Sequence, residues 1–268
     1  MNPPAPDDQP AKNMEPQFNP LAYPLLFTRP ERLHILSAWN EHVPLAMMLI
    51  ELQRPRAFVE LGTHWGVSYC ACCQAVVATG APTQCYAVDT WAGDADAGFY
   101  GQEVYDNLKA HHRPYESFSK LLRMTFDEAL GQVPDKSVDL LHIDGLHSYA
   151  AVKHDYETWL PKVSERGLVL FHDTAVMDRG FGVHQLWAEL SQSFPHFNFE
   201  HGYGLGMLAV GREQPEGVRQ FLQTANARPE ATRQLFAALG HRLQCQLDQA
   251  AAVANRSLLR RMADRLKL

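Results

Sequence analysis

The chain has 268 residues, 46% of them hydrophobic, with 24 Lys and Arg set against 30 Asp and Glu. That length suits one large α/β domain with appendages, and a net charge of −6 argues against a polyanionic nucleic-acid substrate. No run approaches the roughly 18 apolar residues of a membrane span, and the N-terminal stretch lacks the apolar core of a secretory leader, so a cytoplasmic protein is expected.

Residues 1–20 are rich in proline and poor in large apolar side chains, which predicts a mobile, disordered arm. Residues 21–56 read as N-terminal helices. Leu33, Ile35, Leu36, Trp39, Val43, Leu45, Met48, Leu49 and Leu52 recur at helical spacing, and Pro44 divides them into two helices. From 57 to 211 short apolar strands alternate with helical segments. Strands are predicted at 57–62, 84–89, 119–124, 137–144 and 167–173, and helices at 67–80, 100–112, 126–133, 149–160 and 183–194. Two further strands flank the turn Gly202-Tyr203-Gly204 as a closing hairpin. This alternation predicts a doubly wound, mostly parallel seven-stranded α/β sheet of Rossmann type with a terminal antiparallel hairpin.

Residues 212–268 carry no strand pattern. Leu235, Leu239, Leu243, Leu247, Ala254, Leu258, Met262 and Leu266 form the apolar stripe of an amphipathic helical tail, whose cover is its own domain, another subunit or a partner. Homo-oligomerisation through the helical segments is the expectation. The five cysteines, Cys70, Cys72, Cys73, Cys85 and Cys245, form no pair at metal-ligand spacing and read as buried free thiols.

In an open α/β sheet the ligand sits beyond the carboxyl ends of the strands. The first strand ends in Glu60-Leu61-Gly62-Thr63-His64-Trp65-Gly66, followed by Ser68. Gly62 permits a tight turn and Gly66 a close helix, but His64 stands where a dinucleotide fingerprint needs glycine, and no Walker lysine-serine pair occurs. A loop preceded by an acid suits a cofactor without phosphate, such as S-adenosylmethionine. Asp89, at the end of the second strand, is positioned to accept ribose hydroxyls. Trp91 either walls the adenosine or fills the core, and Asp127 either reaches the adenine or caps a helix. His64 and Trp65 contact ligand or only shape the loop.

The fourth and fifth strands end in Asp144-Gly145-Leu146-His147 and His172-Asp173-Thr174. Four ionisable groups at the tips of apolar strands need pairing, a metal or a cleft. Carboxylates plus an imidazole can bind a hard divalent cation, which orients an acceptor hydroxyl and lowers its pKa. His147, titrating near neutrality, suits a general base. A purely structural Asp–His pair is the alternative. His172 and Asp173 are adjacent, so in a regular strand only one faces the site. His142 reads as a core hydrogen-bonding residue. Gly93, Gly98 and Gly101 mark 91–105 as a lid, in which Phe99, Tyr100 and Tyr105 either stack on a sugar ring or pack into the core.

The motifs FVELGTHWGVSY, YAVDTWAGD, LLHIDGLHSYAAVKHDYETW and GLVLFHDT resemble the class I S-adenosylmethionine-dependent methyltransferases of the methyltransferase family 24 group. IDGLHSY with FHDT is also similar to the metal-dependent sugar O-methyltransferases of macrolide pathways. The resemblance implies Asp144 and Asp173 as magnesium ligands, with His172 where those relatives usually carry an acid, and His147 as base. It implies Glu60, Gly62, Thr63, Gly66, Ser68, Asp89, Trp91, Asp127 and Asp144 around the cofactor. It also implies a sugar, glycan or small-molecule acceptor, and a glycosyltransferase as a possible partner, by analogy. The rivals are a methyltransferase acting on nitrogen or a phenolic oxygen, and a non-catalytic cofactor-binding adaptor.

Overall fold

The computed structural model describes residues 18–34, 37–96 and 98–265. Its frame is a sheet of seven strands: β1 (Ala57–Leu61), β2 (Gln84–Asp89), β3 (Ser119–Arg123), β4 (Val138–Ile143), β5 (Val163–His172), β6 (His196–Phe199) and β7 (Leu205–Ala209). Their spatial order is β3-β2-β1-β4-β5-β7-β6. The first five run parallel, and β7 lies antiparallel between β5 and β6. The doubly wound sheet with its terminal hairpin is as the alternation predicts. Strand order reverses between β1 and β4, which opens a crevice beyond their carboxyl ends.

Among the described residues the α-helices are α1 (Val43–Gln53), α2 (Val67–Thr79), α3 (Gln102–His112), α4 (Phe126–Ala129), α5 (Tyr149–Trp159), α6 (Val183–Leu190), α7 (Glu216–Ala227) and α8 (Pro229–Arg265). Every residue of β1 and β4 is buried, as in strands covered on both faces. Period-two alternation sends Phe58, Leu140 and Leu170 into one core with α1, α2 and α7, and Val59, Leu141 and Phe171 into another with α5 and α6. Each such large side chain withdrawn from water contributes about 1.5–3 kcal/mol before conformational entropy is charged. Glu60, His142 and His172 fall on the same parity as Phe58, Leu140 and Leu170. They therefore face α1.

Pro44 does not divide two helices. Residues 40–42 make one 3-10 turn, and Pro44 stands in the first turn of α1. There its missing N–H costs nothing and its fixed φ favours a helix start. Ile35 and Leu36 lie outside the described residues, as do residues 1–17 of the expected arm. The end of that stretch is packed: Phe18 meets Tyr23 and Phe221, its N–H donates to Thr224 Oγ1, and Asn19 caps the turn Pro20–Ala22.

The tail holds two helices. Phe236 and Leu243 of α8 are buried, and Leu235 and Leu239 pack against the same core. Gly240 lets α8 approach closely: a Cβ there would lie 2.1 Å from the Glu41 carbonyl oxygen. The stripe side chains at 254, 258, 262 and 266 lie outside the described residues. Cys70, Cys72, Cys73 and Cys85 are buried free thiols, whereas Cys245 is exposed because it lies off the packed face of α8. Among the described residues no helix is long and apolar enough to cross a membrane.

Candidate active site

β1 runs into Gly62, whose φ is +87°. A Cβ at that position would stand 1.9 Å from the carbonyl oxygen of Asp144, so only glycine lets the tips of β1 and β4 meet. The Asp144 N–H donates to the Leu61 carbonyl at 2.8 Å, which closes the same junction. Gly66, also left-handed, starts α2 and directs the helix N-terminus at the crevice, where partial positive charge gathers.

Two cavities adjoin at Gly62. One, of about 280 Å³, is bordered by Asp89, Tyr100, Thr125, Phe126 and Leu146. The other, of about 320 Å³, runs past Thr63, Gly66 and Ser68 to Asp144, His147 and Asp173, and Trp39 and Phe181 wall it. Of the residues expected around the cofactor, Gly62, Thr63, Gly66, Ser68, Asp89 and Asp144 border this cleft. Asp89 also braces the loop: one carboxylate oxygen accepts from the backbone N–H groups of Thr63 (2.9 Å) and His64 (2.8 Å), and the other from Trp91 (2.7 Å).

Glu60, Trp91 and Asp127 do not border either cavity. Glu60 is fully buried on the α1 face, where its cross-strand neighbour His142 donates or accepts at 2.9 Å. Burial raises the Glu60 pKa, against the lowering effect of His142. Trp91 fills the core beside Tyr105 and donates its indole N–H to the His64 carbonyl. Asp127 is exposed and pairs with His154 at 2.9 Å. It does not cap α4 either. Thr125 does, with Glu128 completing a capping box.

The ionisable groups at the tips of β4 and β5 converge. Asp173 adopts φ +61°, and this left-handed turn brings its carboxylate back beside His172, where alternation had predicted opposite faces. Asp144, His147 and Asp173 each offer one ligand atom, all within 4.8 Å of one another. His147 Nε2 lies 2.8 Å from Asp173 and 3.8 Å from Asp144. His172, the histidine expected in the ligand set, sits behind them, with Nδ1 at 3.3 Å from Asp144 and 3.1 Å from Asp173. Both imidazoles thus reach the same two carboxylates, His172 from the buried side and His147 from the loop after β4.

Burial pulls the His147 pKa down, but hydrogen bonds to Asp144 and Asp173 and their charges carry it up to about 11. His172 moves the same way, to about 10, with burial again opposed by the two aspartates. Burial works to raise the Asp144 pKa, yet the charge of His172 and the imidazole hydrogen bonds hold it well below the usual carboxylate range. Each imidazole has its far nitrogen fixed: His147 Nδ1 by Asp96 at 3.0 Å, and His172 Nε2 by the Gly202 carbonyl at 3.2 Å. Such outer partners are typical of metal-binding histidines. Asp96, Trp39, Phe181, Thr125 and Phe126 were not singled out as site residues by the sequence: Thr125 and Phe126 follow the tip of β3, but Trp39, Asp96 and Phe181 come from connections distant in sequence from the strand tips they meet.

Residues 59–174 match a family described as a methyltransferase domain. Over 188 residues the chain is 54% identical to the uncharacterized protein y4gI of Sinorhizobium fredii, a match covering 70% of this chain and 21% of that one. The chain thus spans about a fifth of the length of that relative. Two solved structures share the fold. The O-methyltransferase TomG of Streptomyces achromogenes, solved with S-adenosylmethionine, superposes with TM-score 0.50 at 12% identity over 72% of this chain and 97% of that one. A proposed caffeoyl-CoA O-methyltransferase of Staphylococcus aureus gives TM-score 0.50 at 16% identity over 63% and 83%. Residues 59–174 thus match a methyltransferase-domain family, and they form the doubly wound sheet that these two solved structures share.

Proposed function

We propose that this chain is an S-adenosylmethionine-dependent O-methyltransferase acting on a hydroxyl of a sugar, glycan or other small molecule. The observation that carries the reading is the shared cleft: the loop at Gly62 and the trio Asp144, His147 and Asp173 line one cavity. Bound S-adenosylmethionine supplies an electrophilic methyl group. The N-terminus of α2 and Ser68 suit its carboxylate, Asp89 its ribose, and the cavity between Tyr100, Phe126 and Leu146 its adenine. His147 Nε2 takes the hydroxyl proton while the cleft holds the acceptor oxygen in line with the methyl carbon, so that the C–O bond forms as the C–S bond breaks.

The donor set fits a divalent cation. Asp144 and Asp173 would hold it with His172 Nδ1, whose other nitrogen is fixed on backbone, and this leaves His147, on the open side, as base. A cation there would polarise the acceptor hydroxyl and draw off the carboxylate charge that keeps His147 protonated. Magnesium is what the resemblance implies, and imidazole ligation extends the choice to manganese.

We further propose a cytoplasmic setting, supported by the free thiols, and assembly through α8 with a second copy or a glycosyltransferase. The test is transfer of labelled methyl from S-adenosylmethionine to a panel of sugars, nucleotide sugars, phenols and amines, with magnesium, manganese or chelator. Labelling of a sugar oxygen, lost with chelator, is expected. Labelling confined to nitrogen or phenolic oxygen overturns the acceptor assignment.

A further inference from the structure

We propose that Asp96 is a positioning residue for His147, and that this contact latches the paired segments Gly93–Asp94 and Gly98–Phe99 across the cofactor cleft. The proposal rests on the methyltransferase reading above.

The hairpin is a two-residue ladder, Gly93–Asp94 against Gly98–Phe99. Gly93, at φ +77°, makes it possible, since a Cβ there would meet the Gly98 carbonyl oxygen at 2.2 Å. At the tip, the Asp96 N–H donates to Asp94 Oδ1 at 2.8 Å, which turns the Asp96 side chain toward the site. A single oxygen, Asp96 Oδ2, then takes two bonds from His147: one from the backbone N–H at 3.0 Å and one from ring Nδ1 at 3.0 Å. Phe181 stacks on the same imidazole, with centroids 4.2 Å apart and planes 6° from parallel. With its plane set by Phe181 and its Nδ1 by Asp96, the ring has one orientation, and Nε2 points at Asp173.

The same hairpin walls both cavities. Gly93, Asp94 and Tyr100 border the one beside Asp89, and Asp96 borders the one holding His147. A strap that leaves the end of β2 is thus fastened to the loop after β4, beside both cavities. An exposed ion pair would contribute little. This one is only partly open to solvent at its side chains, 15% exposed for His147 and 25% for Asp96, and it carries a backbone bond as well.

S-adenosylhomocysteine is the probe, measured by calorimetry and by its release rate from the full chain. Asp96→Ala should weaken binding about tenfold through faster release. Asp96→Asn keeps one acceptor oxygen and should stay within about threefold of the parent. In a His147→Ala background, where only the backbone bond is left to lose, Asp96→Ala should cost about threefold. The latch is overturned if Asp96→Ala binds and releases like the parent, if Asn fares as badly as Ala, or if the loss is equal in both backgrounds. A parent chain that fails to bind S-adenosylhomocysteine overturns instead the methyltransferase reading beneath it.

Discussion

The Cα of Gly62 lies so close to the carbonyl oxygen of Asp144 that a methyl group on it would meet that oxygen at 1.9 Å. The cofactor loop and the acidic tip of β4 are therefore one joint. Gly62→Ala must both push the strands apart and hold a side chain at φ +87°. We predict a loss of about 2–4 kcal/mol of stability together with loss of S-adenosylhomocysteine binding. Denaturant unfolding and calorimetry check it, and unchanged binding would show that the junction tolerates separation.

The two histidines at the site are assigned different work, and metal titration separates them. Manganese binding followed by electron paramagnetic resonance should weaken by about 10- to 100-fold in Asp173→Ala and His172→Ala. His147→Gln should keep manganese but lose about 10²- to 10⁴-fold in turnover. Asp144→Ala should abolish turnover while S-adenosylhomocysteine affinity stays within about threefold. If His147→Gln instead loses the metal, the ligand and base roles exchange.

Much of this site was readable from strand ends. Asp89, Asp144 and Asp173 each close an apolar run, and a parallel sheet puts such ends on one side. What stayed hidden depended on parity, φ or distant partners. Glu60 shares the parity of Phe58, which turns it to His142 and away from the cleft. Asp173 reaches the site only through a left-handed turn that no residue type announces. Asp127 yields the helix cap to Thr125, two positions earlier, because the Thr125–Glu128 pair satisfies two backbone donors at once. Asp96 meets His147 across 51 positions, beyond the reach of any local pattern.

At the opposite end of the sheet Asp139 is fully buried, and it accepts from the backbone and guanidinium of Arg56 and from Ser164 Oγ. Burial alone would raise its pKa, but these bonds outweigh it and hold the carboxyl below its ordinary value. A depressed folded-state pKa gives stability that is present above the unfolded value and lost as pH falls through the folded one. Asp139→Asn should therefore cost about 1–3 kcal/mol at pH 7, a range that already discounts the half-exposed guanidinium. The gap should narrow toward acid. Urea melts at several pH values measure it, and a gap independent of pH would mean that the carboxylate charge contributes nothing.

Asp155 on α5 titrates the other way. It is buried, and desolvation lifts its pKa to about 7, the lowering effect of His154 being smaller. The folded state thus holds a proton that the unfolded chain releases near pH 4. The stability tied to that proton is complete below the unfolded value and disappears as pH rises through about 7. Between those limits the parent should lose up to about 1.4 kcal/mol for each pH unit from this group. Asp155→Asn cannot ionise and escapes that loss. Its thermal midpoint should exceed the parent's by a margin that grows from pH 5 to pH 7 and then levels off, since above the folded value both states of the parent are ionised. A margin that stays flat across that range would mean that Asp155 is charged in the folded protein throughout.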